Sequence, residues 1–141
     1  MAKIISEKTD SDIYRIEPKT PYTTNHSELV NLAKEEQEKN SRPEIKDSIN
    51  NFEQYDNIYI GYPIWWSDLP QILYTFLESY DFEGKNIYIF SSHGGSGIAG
   101  THTTIKNKLS SADVNTNYLS ISRNDMESTI TEVEKWLDEL R

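Results

Sequence analysis

Asn57-Ile-Tyr-Ile-Gly61, running straight into Tyr62-Pro-Ile-Trp-Trp-Ser67, is the stretch on which the fold turns. Its first five residues are almost continuously apolar, the pattern of a strand covered on both faces inside a parallel sheet. The next six break that run with Pro63 and set two indoles side by side. A helix is predicted to follow, because Leu69, Ile72, Leu73, Phe76, Leu77 and Tyr80 keep the 3.6-residue period. Asp68 and Gln71 fit a capping box, and Pro70 falls in the first turn, where a missing N–H costs little.

The same unit repeats downstream. Asn86-Ile-Tyr-Ile-Phe90 reads as a second buried strand and feeds Ser91-Ser-His-Gly-Gly-Ser-Gly-Ile-Ala-Gly100, which holds four of the six glycines. Thr101 is placed to cap a helix to about Ser110, with Ile105 and Leu109 inward. Val114–Ile121 alternates loosely, as a strand near an edge does. Asn124 with Glu127 predicts a second capping box, after which Met126, Ile130, Val133, Leu137 and Leu140 form one stripe with Trp136 beside it. Upstream, Ala2–Lys8 reads as a helix, Asp12-Ile-Tyr-Arg-Ile-Glu17 as a short strand before Pro18, and Asn25 or Ser27 as the cap of a helix to about Asn40. Ile49–Tyr55 has room for one further turn or two. Alternating helices and strands predict an open α/β sandwich on a parallel sheet.

Length and composition set the outer bounds. A chain of 141 residues suits a single domain, residues 1–141, and buries enough surface for a core. The balance of 23 acids against 14 bases, net −9, argues against nucleic acid, where basic side chains supply most of the affinity. It argues equally against an anionic membrane surface. The absence of cysteine excludes disulfides, thiolate metal sites and thiol nucleophiles. No apolar run approaches the roughly 20 residues of a membrane span, and Met1-Ala-Lys-Ile-Ile lacks the core of a signal peptide. A cytoplasmic location is the expectation.

In open α/β sheets ligands bind beyond the carboxyl ends of the strands. The aromatic loop and the glycine loop each follow a buried strand, so both are expected at that end. Trp65 and Trp66 have two readings: both pack on the following helix, or at least one offers its face to a flat aromatic ligand. The glycine loop likewise reads as a flexible surface loop or as backbone N–H groups brought close to a ligand. Together, stacking on one side and backbone hydrogen bonds on the other suit an isoalloxazine. His93 and His102, with no cysteine or carboxylate motif nearby, make a poor metal set. No side chain stands out as a catalytic acid, base or nucleophile.

Gly61-Tyr-Pro-Ile-Trp-Trp66, Tyr74-Thr-Phe-Leu-Glu-Ser-Tyr-Asp81, Gly84-Lys85, Ser92-His-Gly-Gly-Ser-Gly97 and, upstream, Glu36-Gln-Glu-Lys-Asn-Ser-Arg-Pro-Glu-Ile45 resemble the flavodoxin-like family of small FMN proteins, over essentially the whole chain. The resemblance implies a flavodoxin-like open parallel sheet flanked by helices, in the order 2-1-3-4-5, with FMN at the strand ends and electron transfer through the flavin. Pro63, Ile64, Trp65 and Trp66 match the family's ring-contacting loop. Ser92, His93, Gly94, Gly95, Ser96 and Gly97 match the loop that hydrogen-bonds the pyrimidine edge. Redox proteins are the implied partners. An FMN-dependent NAD(P)H or quinone oxidoreductase is an alternative, since no aromatic residue between Ser91 and Thr104 would cover the second ring face. A cofactor-free or dimerising interaction domain is another.

The resemblance departs from the family at the start. Members open with a strand and a Thr/Ser-rich turn that holds the FMN phosphate at a helix N-terminus. Here Met1 already falls inside the stretch resembling the first helix, so the first strand and phosphate loop are expected to be missing. Losing three charge-assisted hydrogen bonds at ~1.5–3 kcal/mol each would weaken FMN by roughly three or more orders of magnitude. The gap would sit between the Asp12–Glu17 and Asn57–Gly61 strands. Either the first of these moves over to pair with the second, or a second copy fills the gap as a homodimer.

Overall fold

Three apolar stretches become parallel strands in the computed structural model, which describes residues 1–140 except for the side chain of Met126. In chain order the elements are α1 (Ala2–Thr9), α2 (His26–Glu38), β1 (Asn57–Pro63), α3 (Gln71–Ser79), β2 (Asn86–His93), α4 (Thr101–Lys108), β3 (Asp113–Val114), β4 (Leu119–Ser122) and α5 (Thr129–Glu139). β2 is central. β1 lies on one side of it, and β3 and β4 lie end to end on the other. The expected strand at Val114–Ile121 is thus two strands. Between them Asn115 and Asn117 turn the backbone away: Asn117 N–H donates to Asn115 Oδ1 at 2.8 Å, and Asn117 O accepts from Trp136 Nε1 at 2.9 Å. Local side-chain bonds of this kind compete with a sheet ladder.

The period-2 pattern of the strands separates two cores. Ile60, Tyr62, Ile87, Ile89 and Val114 face Leu73, Phe76, Leu77, Ile105 and Leu109 of α3 and α4. Phe90, Leu119 and Ile121 face Ile5 of α1 and Val133, Trp136 and Leu137 of α5. Ile87 and Ile89 are fully buried, worth roughly 1.5–3 kcal/mol each. Gly61 is required by the second core, since a Cβ there would lie 2.1 Å from the Phe90 ring.

Several boundaries differ from expectation. Asp12–Glu17 is not a strand. Its alternation is real, with Tyr14 and Ile16 packed on the first core and Ile13 57% exposed. Its fixed points lie elsewhere, however: Tyr55 Oη donates to Asp12 Oδ2 at 2.7 Å, Tyr14 Oη donates to Asp47 O, and Pro18 bridges antiparallel to Ile45. It does not move over to pair with β1. The Asp68–Gln71 box does not form, because Asp68 Oδ1 accepts from Leu69 N–H and Tyr74 Oη, both at 2.7 Å, and Pro70 takes the cap position. Gly100, not Thr101, caps α4. The Asn124–Glu127 box is replaced by a 3-10 segment, Arg123–Ser128, kinked at Asp125, which delays α5 to Thr129. Of its expected stripe, Val133 and Leu137 are buried, Leu140 is half-buried and Ile130 is 61% exposed, because the buried face runs through Thr129, Val133, Trp136 and Leu137. Met126 lies outside the described side chains. Among the described residues no helix is long and apolar enough to cross a membrane.

Candidate functional site

Register brings the two loops together. Pro63 pairs with Ser92 at the carboxyl ends of β1 and β2, and Ile64 N–H donates to Ser92 O at 2.9 Å. Beneath them Tyr62 Oη shares a 2.8 Å hydrogen bond with Thr101 Oγ1, tying the end of β1 to the start of α4. Burial pushes the Tyr62 phenol up to about 12, so this bond is made by a neutral hydroxyl.

The aromatic loop is a two-residue reversal. Trp65 and Asp68 exchange backbone hydrogen bonds at 2.9 and 3.0 Å, while Trp66 and Ser67 take φ values of 51° and 59°. Two successive positive φ values are those of a type I′ turn, normally Asn-Gly. A side chain in that region costs on the order of 1–2 kcal/mol. What holds the turn is α2: Trp66 Nε1 donates to Val30 O at 3.0 Å, Gln37 Nε2 donates to Trp66 O at 3.1 Å, and Lys34 Nζ lies 5.1 Å from the indole centre. Trp66 keeps 46% of its surface exposed. Trp65 is half-buried, edge-on to Tyr22 at 6.0 Å. Both indoles therefore lean toward α2 and the chain before it. The backbone of Pro63 and Ile64 meets the glycine loop at Ser92.

In that loop His93 Nδ1 accepts the Gly95 N–H at 3.0 Å, which places the proton of the neutral ring on Nε2. Gly95 and Gly97 have φ of 132° and 68°, with nothing within 4 Å of an added Cβ. Ser96 Oγ donates to Gly97 O at 3.2 Å. Among the described residues no protein acceptor meets the Ser96 or Gly97 N–H. Arg123, which sequence reasoning missed, crosses this loop: a Cβ on Gly94 would sit 2.5 Å from its Nη2. Its signal was positional, as it directly follows Ser122, the register partner of His93.

His102 turns away, with Nε2 3.0 Å from Asn115 O and its ring against Tyr118. No metal-holding group of three side chains exists among the described residues. Two clefts lie elsewhere. One, of about 460 Å³, sits at the amino ends of β1 and β2 between Phe52, Asp56, Tyr80 and Lys85. The other, of about 290 Å³, lies between Pro18–Tyr22, Leu32, Glu36 and Pro43. The two predicted loops, with Arg123 beside Gly94, thus form an open surface at the strand ends, offering backbone donors, an exposed indole and a guanidinium. Such a surface can seat a planar, acceptor-rich molecule.

The chain is similar to solved structures over nearly its whole length. A protein described as a flavoprotein from Bacteroides eggerthii is 30% identical, with 97% of this chain and 86% of that one covered and a TM-score of 0.75. A second from Bacteroides uniformis is 26% identical, covering 94% and 87%, also at 0.75. A flavoprotein from Lactobacillus acidophilus, solved in complex with FMN, is 22% identical, covering 96% and 86% at 0.68, and shares the fold. No curated protein sequence matches. The family described as Flavodoxin matches residues 1–140, so the parallel sheet, the paired loops at its carboxyl end and the sequence agree: the chain belongs to the flavodoxin family.

Proposed function

We propose that this protein binds FMN through its ring system and serves as an electron-transfer protein. The observation that carries this reading is the 2.9 Å bond from Ile64 N to Ser92 O, which sets the aromatic and glycine loops side by side at the strand ends. The relative from Lactobacillus acidophilus, whose structure contains FMN, supports the choice of cofactor. The residues fit the ring half of FMN. Ser96 and Gly97 offer free N–H groups, Gly95 and Gly97 leave space for close approach, and Trp66 offers an exposed ring face.

Bound there, the flavin would supply reversible uptake of one or two electrons. The chain's own residues do the rest. Ser92–Gly97 orient the polar edge through backbone hydrogen bonds. Pro63 and Ile64 fix the height of the ring against the sheet, and Trp66 excludes water from one face. The net charge of −9 opposes the build-up of negative charge on reduction, which lowers the potential. Redox proteins are the partners of this reading. A second copy would pair along β1, which has one strand neighbour and whose outermost residue, Pro63, brings no N–H to that edge.

The openness of the glycine loop favours a second reading, an FMN-dependent NAD(P)H or quinone oxidoreductase, since hydride transfer needs stacked access to the ring. The test is addition of FMN to the purified protein, followed by flavin fluorescence and visible absorbance. Quenching that weakens in Trp66→Ala supports flavin binding. An unperturbed flavin spectrum overturns it in favour of a cofactor-free interaction domain. NAD(P)H consumption by the loaded protein then separates the enzyme from the carrier.

A further inference from the structure

We propose that Arg123 is the cationic group of this site: its guanidinium receives the electron-rich edge of a flavin held in the Ser92–Gly97 loop and favours the reduced, negatively charged form. The inference rests on the flavin-binding reading above and assigns it a residue outside both loops. Arg123 follows the last residue of β4, and β4 runs parallel to β2 with Ser122 beside His93, so the next position falls alongside Gly94. The side chain crosses the loop there. A Cβ on Gly94 would stand 2.5 Å from Nη2 and 3.3 Å from Cζ, so the bare glycine leaves the guanidinium room against the loop.

Arg123 is exposed, and two further observations bear on it. In a chain with 23 acids, no ion pair among the described residues involves Arg123. The loop that Gly94 belongs to also carries the Ser96 and Gly97 N–H groups, which meet no protein acceptor among the described residues. Donors of one sign, with no protein acceptor among them, fit an acceptor-rich ligand edge. The pyrimidine portion of a flavin, with two carbonyl oxygens and a nitrogen that gains negative charge on reduction, has that chemistry. A guanidinium hydrogen-bonds such acceptors in a plane and stays charged at every working pH. Against a protein field of −9, it would act as a local counter-charge.

The test is a double-mutant cycle on flavin affinity and midpoint potential, using Arg123→Gln, Arg123→Lys, Gly94→Ala and the Arg123→Gln/Gly94→Ala pair. Arg123→Gln should weaken oxidised flavin by roughly tenfold, the scale of one charge-assisted hydrogen bond. It should weaken the reduced form further and lower the potential, by about 30 mV for each additional factor of ten in a two-electron couple. Arg123→Lys should restore part of the potential. Gly94→Ala should shift both readouts the same way, because the methyl group displaces the guanidinium, and should add nothing once Arg123 is Gln. Wild-type affinity and potential in Arg123→Gln, or full additivity in the pair, overturns the proposal alone. A wild-type protein that binds no flavin overturns it together with the reading on which it rests.

Discussion

On one side of β2 the chain closes its hydrogen bonds strand by strand, with β3 and β4 in register and α1 and α5 packed over Phe90, Leu119 and Ile121. On the other side the sheet stops at β1, and the chain from Asp12 to Asn50 covers the first core with side chains, one antiparallel bridge and α2. The glycine loop and Arg123 belong to the closed side. The indole turn belongs to the open side, where positive φ values at Trp66 and Ser67 are held by bonds to α2. Each half of the candidate site is therefore held by a different flank of the sheet.

The largest difference should appear in the core. Ile89→Ala, fully buried on β2, is expected to cost about 2–5 kcal/mol in urea unfolding. Ile13→Ala, 57% exposed on the open side, should stay within about 0.5 kcal/mol. Equal costs would break the comparison. Gly61→Ala drives a methyl group into Phe90 and should cost roughly 1–3 kcal/mol, with part recovered when Phe90→Leu makes room.

Alkaline titration sharpens the junction between the flanks. The Tyr62 phenol is pushed up to about 12, chiefly by burial, whereas the unfolded phenol ionises near 10. Between those values the unfolded state loses its proton first, so stability falls as pH rises through the window and levels off above it. Burial raises Tyr22 and Tyr74 in the same direction. Tyr62→Phe should make the fall shallower, and an unchanged pH profile would remove Tyr62 from this role. An effect of opposite sign is expected at Ser67→Gly, which relieves a left-handed residue and should stabilise by roughly 1 kcal/mol in thermal unfolding.

The same contrast governs what could be read from the sequence. Asn86–Phe90 was legible because burial on both faces leaves a continuous apolar run, Asn57–Gly61 was legible from the same run although only Ile60 of it is buried, and the glycine loop followed from its composition. Asp12–Glu17 shows the limit of period-2 reading: its faces are as expected, but a strand needs a neighbour's ladder, and the sequence does not say where that neighbour lies. Both capping boxes failed to local competition, Asp68 binding Tyr74 and Leu69 N–H, and Ser122 Oγ taking Asn124 N–H at 3.2 Å. Arg123 was invisible because its role depends on the register of β4 against β2.

The central claim is that the aromatic and glycine loops hold a flavin chiefly by its ring. Titration calorimetry of the same preparation with FMN and with riboflavin tests it most directly. Weak binding of both, with dissociation constants within about a factor of ten or roughly 1.4 kcal/mol, is the predicted result. FMN bound a hundredfold or more tighter than riboflavin, or neither bound at all, would contradict it.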